Sequence, residues 1–286
     1  PFNLAQDDME IAGKIIELDV SRPAFFDDPP AVTRFDELPW PTLEAITIIA
    51  KGIRNIPGIS YQRKNNQYIK YTGNVGQDLV ESLFWFNQYN PVPAADLVQA
   101  YTARSVTNAA AYTEGLINLG WRGWEGDLPT SLVNNCPDNN SLQELIIAYY
   151  EDAIRCSNTR LTPLTCYYHI DSRPGKFAGT ALTGVQVYSG SEIAGLSGSV
   201  VFTDLSRKGT GQMAARGVLA YCRINPSCKI DNYQIIETAY DFGQKNAFYT
   251  CLGTNQSQSK LYLGVYGSMR VTDLNMGCVF EIVPMS

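Results

Sequence analysis

The sequence predicts an α+β protein, with helices in the first half and strands in the second. Three observations carry this. Residues 93–119 hold no proline after Pro93 and no glycine before Gly115, and they are rich in alanine. Ser141 and Glu144 have the spacing of a capping box, ahead of Leu142, Leu145, Ile146 and Tyr149 at helical intervals. From residue 161 onward, short apolar runs are punctuated by Gly, Pro, Asn and Asp, the pattern of strands and turns. Helices first and strands later give an α+β order rather than an alternating one.

Residues 1–45 read as an irregular arm. Pro23, Pro29, Pro30, Pro39 and Pro41 rule out a helix or a central strand there, because each removes a backbone donor. Phe25, Phe26, Phe35 and Trp40 sit between the prolines, too aromatic for a solvated linker, and are candidate anchors onto another surface. Residues 53–73 alternate apolar and polar on both sides of Lys64-Asn65-Asn66-Gln67, which predicts a β-hairpin with a polar tip. Its candidate contact residues are Tyr61, Arg63, Lys64, Tyr68 and Tyr71. Residues 77–89 are densely apolar and read as a helix, with strand pairing through "SLFWF" as the alternative.

The helix over 93–119 would be a rod of roughly 40 Å at 1.5 Å per residue. Gly120 would end it. The elbow that follows, "GWRGWEGDLP", brings Trp121 and Trp124 together among glycines, as a wedge at the end of the rod. A second helix is predicted over 141–157. Strand positions follow at 164–170, 185–188, 199–203, 218–223, 233–238 and 247–252, with a short helix after the turn in "RPGKFAGTAL". Two last strands lie in "KLYLGVYGSMRVT" and "GCVFEIVP".

Composition narrows the function. Charged residues make up 17% and the 17 tyrosines add to an uncharged polar surface, which suits contact between proteins. A net charge of −6 argues against a basic track for nucleic acid. No apolar run is long enough for a membrane helix. No basic-then-apolar leader is visible, so the seven cysteines are expected to be reduced, with a Cys222–Cys228 loop disulfide as the alternative. Pro1 fits removal of an initiator methionine or proteolytic trimming. His169 is the single histidine, set in the aromatic run "CYYHIDS", and reads as a satisfied core residue. The string "AGLSGS" lacks the spacing of a nucleophile elbow, and no phosphate-binding glycine loop follows a strand. Adjacent carboxylates such as Asp7-Asp8 and Glu151-Asp152 read as solvated pairs. No enzyme, cofactor or metal is expected.

The order of these elements resembles the major capsid protein of tailed bacteriophages, the Hong Kong 97-like fold that encapsulin-like compartments share. "AAYTEGLINLGWRGWEGDLPTSLVNN" carries it most: Glu114, Leu119-Gly120, Gly126-Asp127-Leu128 and Asn134-Asn135 match a spine helix, its closing turn and an Asn-rich loop. The resemblance implies an N-terminal arm over 1–45, an extended hairpin loop with flanks over 46–90, a peripheral domain with spine helix over 91–136, an axial domain over 137–250 and return strands over 251–286. It further implies pentamers and hexamers in an icosahedral shell, assembled in the host cytoplasm with decoration, portal or scaffolding proteins. Such a shell encloses double-stranded DNA without sequence-specific binding, and the chain would be found in the virion. The alternative is another virion protein, such as a jelly-roll coat or tail-tube subunit, and after that a secreted binding module or hydrolase.

Overall fold

A computed structural model describes residues 4–22, 31–87, 91–103, 116–130, 160–207, 214–224, 231–268, 270 and 272–285. In chain order the strands and helices are β1 (Ile15–Leu18), α1 (Trp40–Leu43), β2 (Ile46–Lys51), β3 (Ile59–Lys64), β4 (Gln67–Asn74), β5 (Val80–Asn87), β6 (Val92–Pro93) and α2 (Ala94–Ala103). They continue with β7 (Ile117–Asn118), β8 (Trp124–Glu125), β9 (Leu128–Pro129), β10 (Thr165–Tyr168), β11 (Leu182–Tyr188) and β12 (Ser199–Asp204). The last are β13 (Val218–Arg223), β14 (Gln234–Ile236), β15 (Phe248–Thr254), β16 (Leu261–Tyr266) and β17 (Gly277–Ile282).

Strands account for 42% of the described residues and helices for 8%, so the protein is β-rich. This overturns the expected α+β class and the Hong Kong 97-like fold with its long spine helix. Helix α2 stops being described at Ala103, and beyond the undescribed 104–115 the chain is already the strand β7. The cause is tertiary: Ile117 and Asn118 pair in parallel with Ala50 and Lys51 of β2, and that ladder overrides local helical periodicity. The run at 77–89 is likewise a strand, β5, paired on one side with β4 and on the other with β10. It is buried almost throughout, so the alternation that marks a half-exposed strand is lost. No short helix follows the turn at Arg173–Lys176; the chain passes directly into β11. The second predicted helix, 141–157, lies outside the described residues.

The chain divides into two compact units, Pro1–Arg54 with Gln88–Leu161, and Asn55–Asn87 with Thr162–Ser286. The first is built around β2, which pairs antiparallel with β1 on one edge and, on the other, antiparallel with β6 and parallel with β7. Met9, Phe35, Leu43, Ile46, Ile48, Val92, Leu97, Val98 and Leu116 form its core. The described part of the N-terminal segment is therefore packed into this unit rather than laid out as an arm. On α2 the spacing Ala94, Leu97, Val98, Tyr101 supplies the packed stripe.

The second unit contains three antiparallel sheets: β10-β5-β4-β3, β11-β12-β13-β14 and β15-β16-β17. One core forms between the first two and includes Tyr71, Leu83, Tyr167, Val185, Val187, Val200, Phe202 and Val218. A second forms between the middle sheet and the third and includes Tyr188, Val201, Leu219, Tyr249, Leu252, Leu263 and Val265. Side chains alternate across a strand. In β12, Val200 and Phe202 therefore enter one core while Val201 enters the other, and all six residues are buried. Strands β3 and β4 form a hairpin whose tip, Asn65-Asn66, has φ of 50° and 61°. Asparagine tolerates this left-handed region better than most residues, and two such residues in a row give the turn type that matches strand twist.

Candidate assembly surface

Among the described residues, the middle sheet is covered on both faces and the third sheet on one. β17 pairs with β16 along its whole length, from Leu261 opposite Ile282 to Tyr266 opposite Gly277. It pairs with no other strand among the described residues. Phe280 and Ile282 lean on the second core, together with Phe242. The alternate row points outward. Val279 is 73% exposed, and beyond the strand Val283 and Met285 are 63% and 76% exposed. Leu274, in the connection from β16, is 80% exposed. Each is a large apolar side chain left in contact with solvent, on or beside this strand.

The edge also lacks the usual protection. Natural edge strands carry lysine, proline or inward charge to discourage pairing. β17 reads Gly-Cys-Val-Phe-Glu-Ile, with Glu281 as its one charged residue. Lys260 on the neighbouring strand's approach neutralises it at 2.8 Å, and that contact holds the Lys260 ammonium above its ordinary pKa. The patch is thus apolar and locally neutral.

The residues singled out from sequence fall elsewhere. Phe25 and Phe26 lie outside the described residues. Phe35 is fully buried in the first unit, and Tyr71 is fully buried in the second, where its hydroxyl donates to Gln62 Oε1 at 3.1 Å. Burial pushes the Tyr71 phenol up to about 12. Both side chains already serve their own unit's core. Trp40 is exposed on the first turn of α1 and donates from Nε1 to Glu44 Oε1 at 3.0 Å. In the hairpin, Tyr61 is exposed with the Lys70 ammonium 5.5 Å from its ring centre, and Tyr68 stands opposite Arg63. Arg63 donates to Asn66 Oδ1 at 3.3 Å, and Lys64 lies exposed beside the tip. The hairpin residues are thus together and outward, but Trp40 belongs to the other unit.

The tryptophan elbow lies wholly in the first unit. Trp124 begins the two-stranded β8–β9 ribbon, and the Arg160 guanidinium sits 4.0 Å above its ring. Arg160 also donates to the Gly126 carbonyl at 3.2 Å and pairs with Asp127 at 3.6 Å. Trp121 has Arg54 at 5.6 Å from its ring, and its carbonyl accepts from Gln6 Nε2 at 2.6 Å. Gln6 and Asn118 exchange two side-chain hydrogen bonds at 2.8 and 2.9 Å in the interior. The tryptophans are held by stacked arginines, not by a terminating helix.

The single histidine is buried. His169 Nε2 lies 2.7 Å from Glu81 Oε1, and Glu81 Oε2 accepts from the backbone of Gly76 and Leu182. Nearby, the Asp204 carboxylate accepts from the amides of Thr180, Ala181 and Ser206, the Thr180 hydroxyl and the Tyr167 hydroxyl. Burial pushes the Asp204 carboxyl up to about 7, against the pull of these donors. The same burial, with Asp204 beside it, raises the Tyr167 phenol well above its usual range. Each carboxylate's acceptor positions are directed at its own chain. The network joins β5, β10, β11 and β12 and works as a rivet.

Sequence reasoning located β17 as a strand but missed it as a site. Its signal was present: alternate rows Cys-Phe-Ile and Val-Glu-Val are both largely apolar, whereas a strand with one solvated face carries a polar row. Compared with known proteins, the chain matches no family model, no curated protein and no solved structure.

Proposed function

We propose that this chain is a structural subunit that assembles with copies of itself, as a coat protein does in a virion shell around nucleic acid. The observation that carries the reading is the concentration of exposed apolar side chains at 274–285, on and around an unprotected edge strand. Low charge and many tyrosines suit a surface that is covered in use. The net charge of −6 fits a wall that confines nucleic acid rather than gripping it. The β-rich architecture is not the spine-helix fold, so the reading rests on the surface and the composition instead. The reading is therefore of a β-built coat subunit.

Purified chain examined by light scattering and negative-stain electron microscopy tests this. Concentration-dependent growth into closed or ring-like particles is the expected result. A species that stays monomeric at all attainable concentrations would overturn it.

A further inference from the structure

We infer that the tip of the β3–β4 hairpin is a stacking platform for single-stranded nucleic acid. Tyr61 and Tyr68 take bases, and Arg63 and Lys64 take the phosphates beside them. This rests on the coat reading and names the place where an acidic wall meets what it encloses. The hairpin is a local exception to the chain's charge. Residues 55–77 hold Arg63, Lys64 and Lys70 and no acid, in a chain with 28 acidic and 22 basic residues. Arg22, Arg34, Lys51, Arg160, Arg173 and Lys260 each pair with a carboxylate. Among the described residues, no carboxylate pairs with Arg63 or Lys64. Two exposed cations on a surface clear of acids are complementary to an anion.

The rings select the kind of anion. Arg63 stands opposite Tyr68 and Tyr61 opposite Lys70, so these four side chains share one face of the ribbon. Tyr61 and Tyr68 are diagonal neighbours on that face, roughly 7–8 Å apart. They are 44% and 57% exposed. Among the described residues β5 pairs with β4 only as far as Ile69, so Arg63–Tyr68 project beyond that third strand. Tyr61 is set from two sides. Its carbonyl accepts from Gln258 Nε2 at 2.6 Å, and the buried Lys70 ammonium lies 5.5 Å from its ring centre. Arg63 donates to Asn66 Oδ1 and carries further N–H groups that can reach a phosphate. Tyrosine faces stack on unpaired bases, whereas a duplex keeps its base faces covered, so the single strand is the occupant. An acidic peptide would satisfy the cations but bring no row of flat rings.

The test is fluorescence anisotropy of the full chain with a labelled oligodeoxyadenylate of about ten nucleotides at low salt. Wild type should bind, with a log–log salt slope of about −1.4, as two phosphate contacts on a single strand give. Tyr68→Leu should weaken binding about tenfold with an unchanged thermal midpoint, and an abasic oligomer of equal length should bind at least about tenfold more weakly. The chain carrying both Arg63→Gln and Lys64→Gln should lose the salt dependence. Arg22→Gln removes a cation already paired with Asp19 and Glu44, and should bind as wild type does. Equal binding of the abasic oligomer, of the duplex or of a sulfated polysaccharide would overturn the platform, since charge alone would then suffice. Hairpin variants that bind as wild type does, or a wild type that does not bind, would overturn it too. So would loss of self-association in the Arg63→Gln, Lys64→Gln chain with its oligonucleotide affinity intact, which would make the hairpin a protein contact. A chain that binds the oligonucleotide yet stays monomeric would remove the assembly reading and leave this one. Particles formed by a chain that ignores the oligonucleotide would do the reverse.

Discussion

Strands β12 and β17 have the same length and nearly the same character, Ser-Val-Val-Phe-Thr-Asp against Gly-Cys-Val-Phe-Glu-Ile, yet opposite surroundings. The third residue of each is valine and the fourth phenylalanine. Val201 is fully buried, whereas Val279 is 73% exposed. Phe202 is buried among Tyr167 and Tyr233, while Phe280 is only partly covered, by Tyr240 and Phe242. Position in the sheet, not composition, makes the difference. Among the described residues, β12 has strands on both edges and cores on both faces, while β17 has one neighbour and one core. β17 is, among the described residues, largely apolar on both faces and covered on one.

The largest expected effect breaks the comparison at its buried end. Phe202→Ala removes a ring in contact with two other aromatics and should destabilise the chain by about 3–5 kcal/mol in urea denaturation. Phe280→Ala should cost clearly less, about 1–2 kcal/mol, because solvent already reaches its site. Equal costs would mean that β17 is held as firmly as β12 and that its exposure carries no meaning.

The sixth residues sharpen it further. Asp204 closes β12 inside the protein, where burial raises its carboxyl from 3.8 to about 7. The folded state therefore binds a proton more tightly than the unfolded state. That contribution is complete below about pH 4 and is lost as the pH rises through about 7, by roughly 4 kcal/mol in all. Unfolding free energies measured across this window should fall with pH in wild type, and the slope should flatten in Asp204→Asn. A parallel slope in the two proteins would show that Asp204 is ionised throughout. Ile282, at the same place in β17, has nothing to titrate.

A smaller effect is expected at the elbow. Gly120 has φ of 95°, and a Cβ there would come within 2.9 Å of the Trp124 Cβ. Gly120→Ala should cost about 1–3 kcal/mol through this strain and push Trp124 from beneath Arg160. Quenching or shift of tryptophan emission would report the movement. Unchanged stability and emission would mean that the elbow adjusts freely.

These cases also show what was legible in the sequence. The strand positions at 199–204 and 218–223 were readable, because runs bounded by Gly, Asn and Asp mark strands whatever covers them. The Asn65-Asn66 hairpin was readable for the same local reason. β5 was misread, since burial on both faces erases its alternation, and β7 was misread because its partner β2 lies far away in sequence. The candidate site failed in the same manner. Aromatic residues drew attention at Phe35 and Tyr71, which are core. Edge status belongs to strand order, and strand order is a long-range property that no local pattern around 277–282 contains.

The smallest effect is the most discriminating, because it uses one substitution twice. Val→Thr keeps shape and adds a hydroxyl. At Val201 that hydroxyl enters the second core without solvent and should cost about 1–3 kcal/mol. At Val279 in the isolated chain it meets water and should cost less than about 0.5 kcal/mol. If a second copy packs on the outer face of β17, as the assembly reading expects, the same hydroxyl is buried in the assembled state alone. Monomer stability in denaturant should then stay level while association weakens by about tenfold. Val201→Thr should reverse this, lowering stability without moving the affinity of the chains that remain folded. If Val279→Thr instead lowers stability as Val201→Thr does, its face is covered by the chain's own residues. If it alters neither quantity, the outer row meets only solvent, and the contact between copies lies elsewhere.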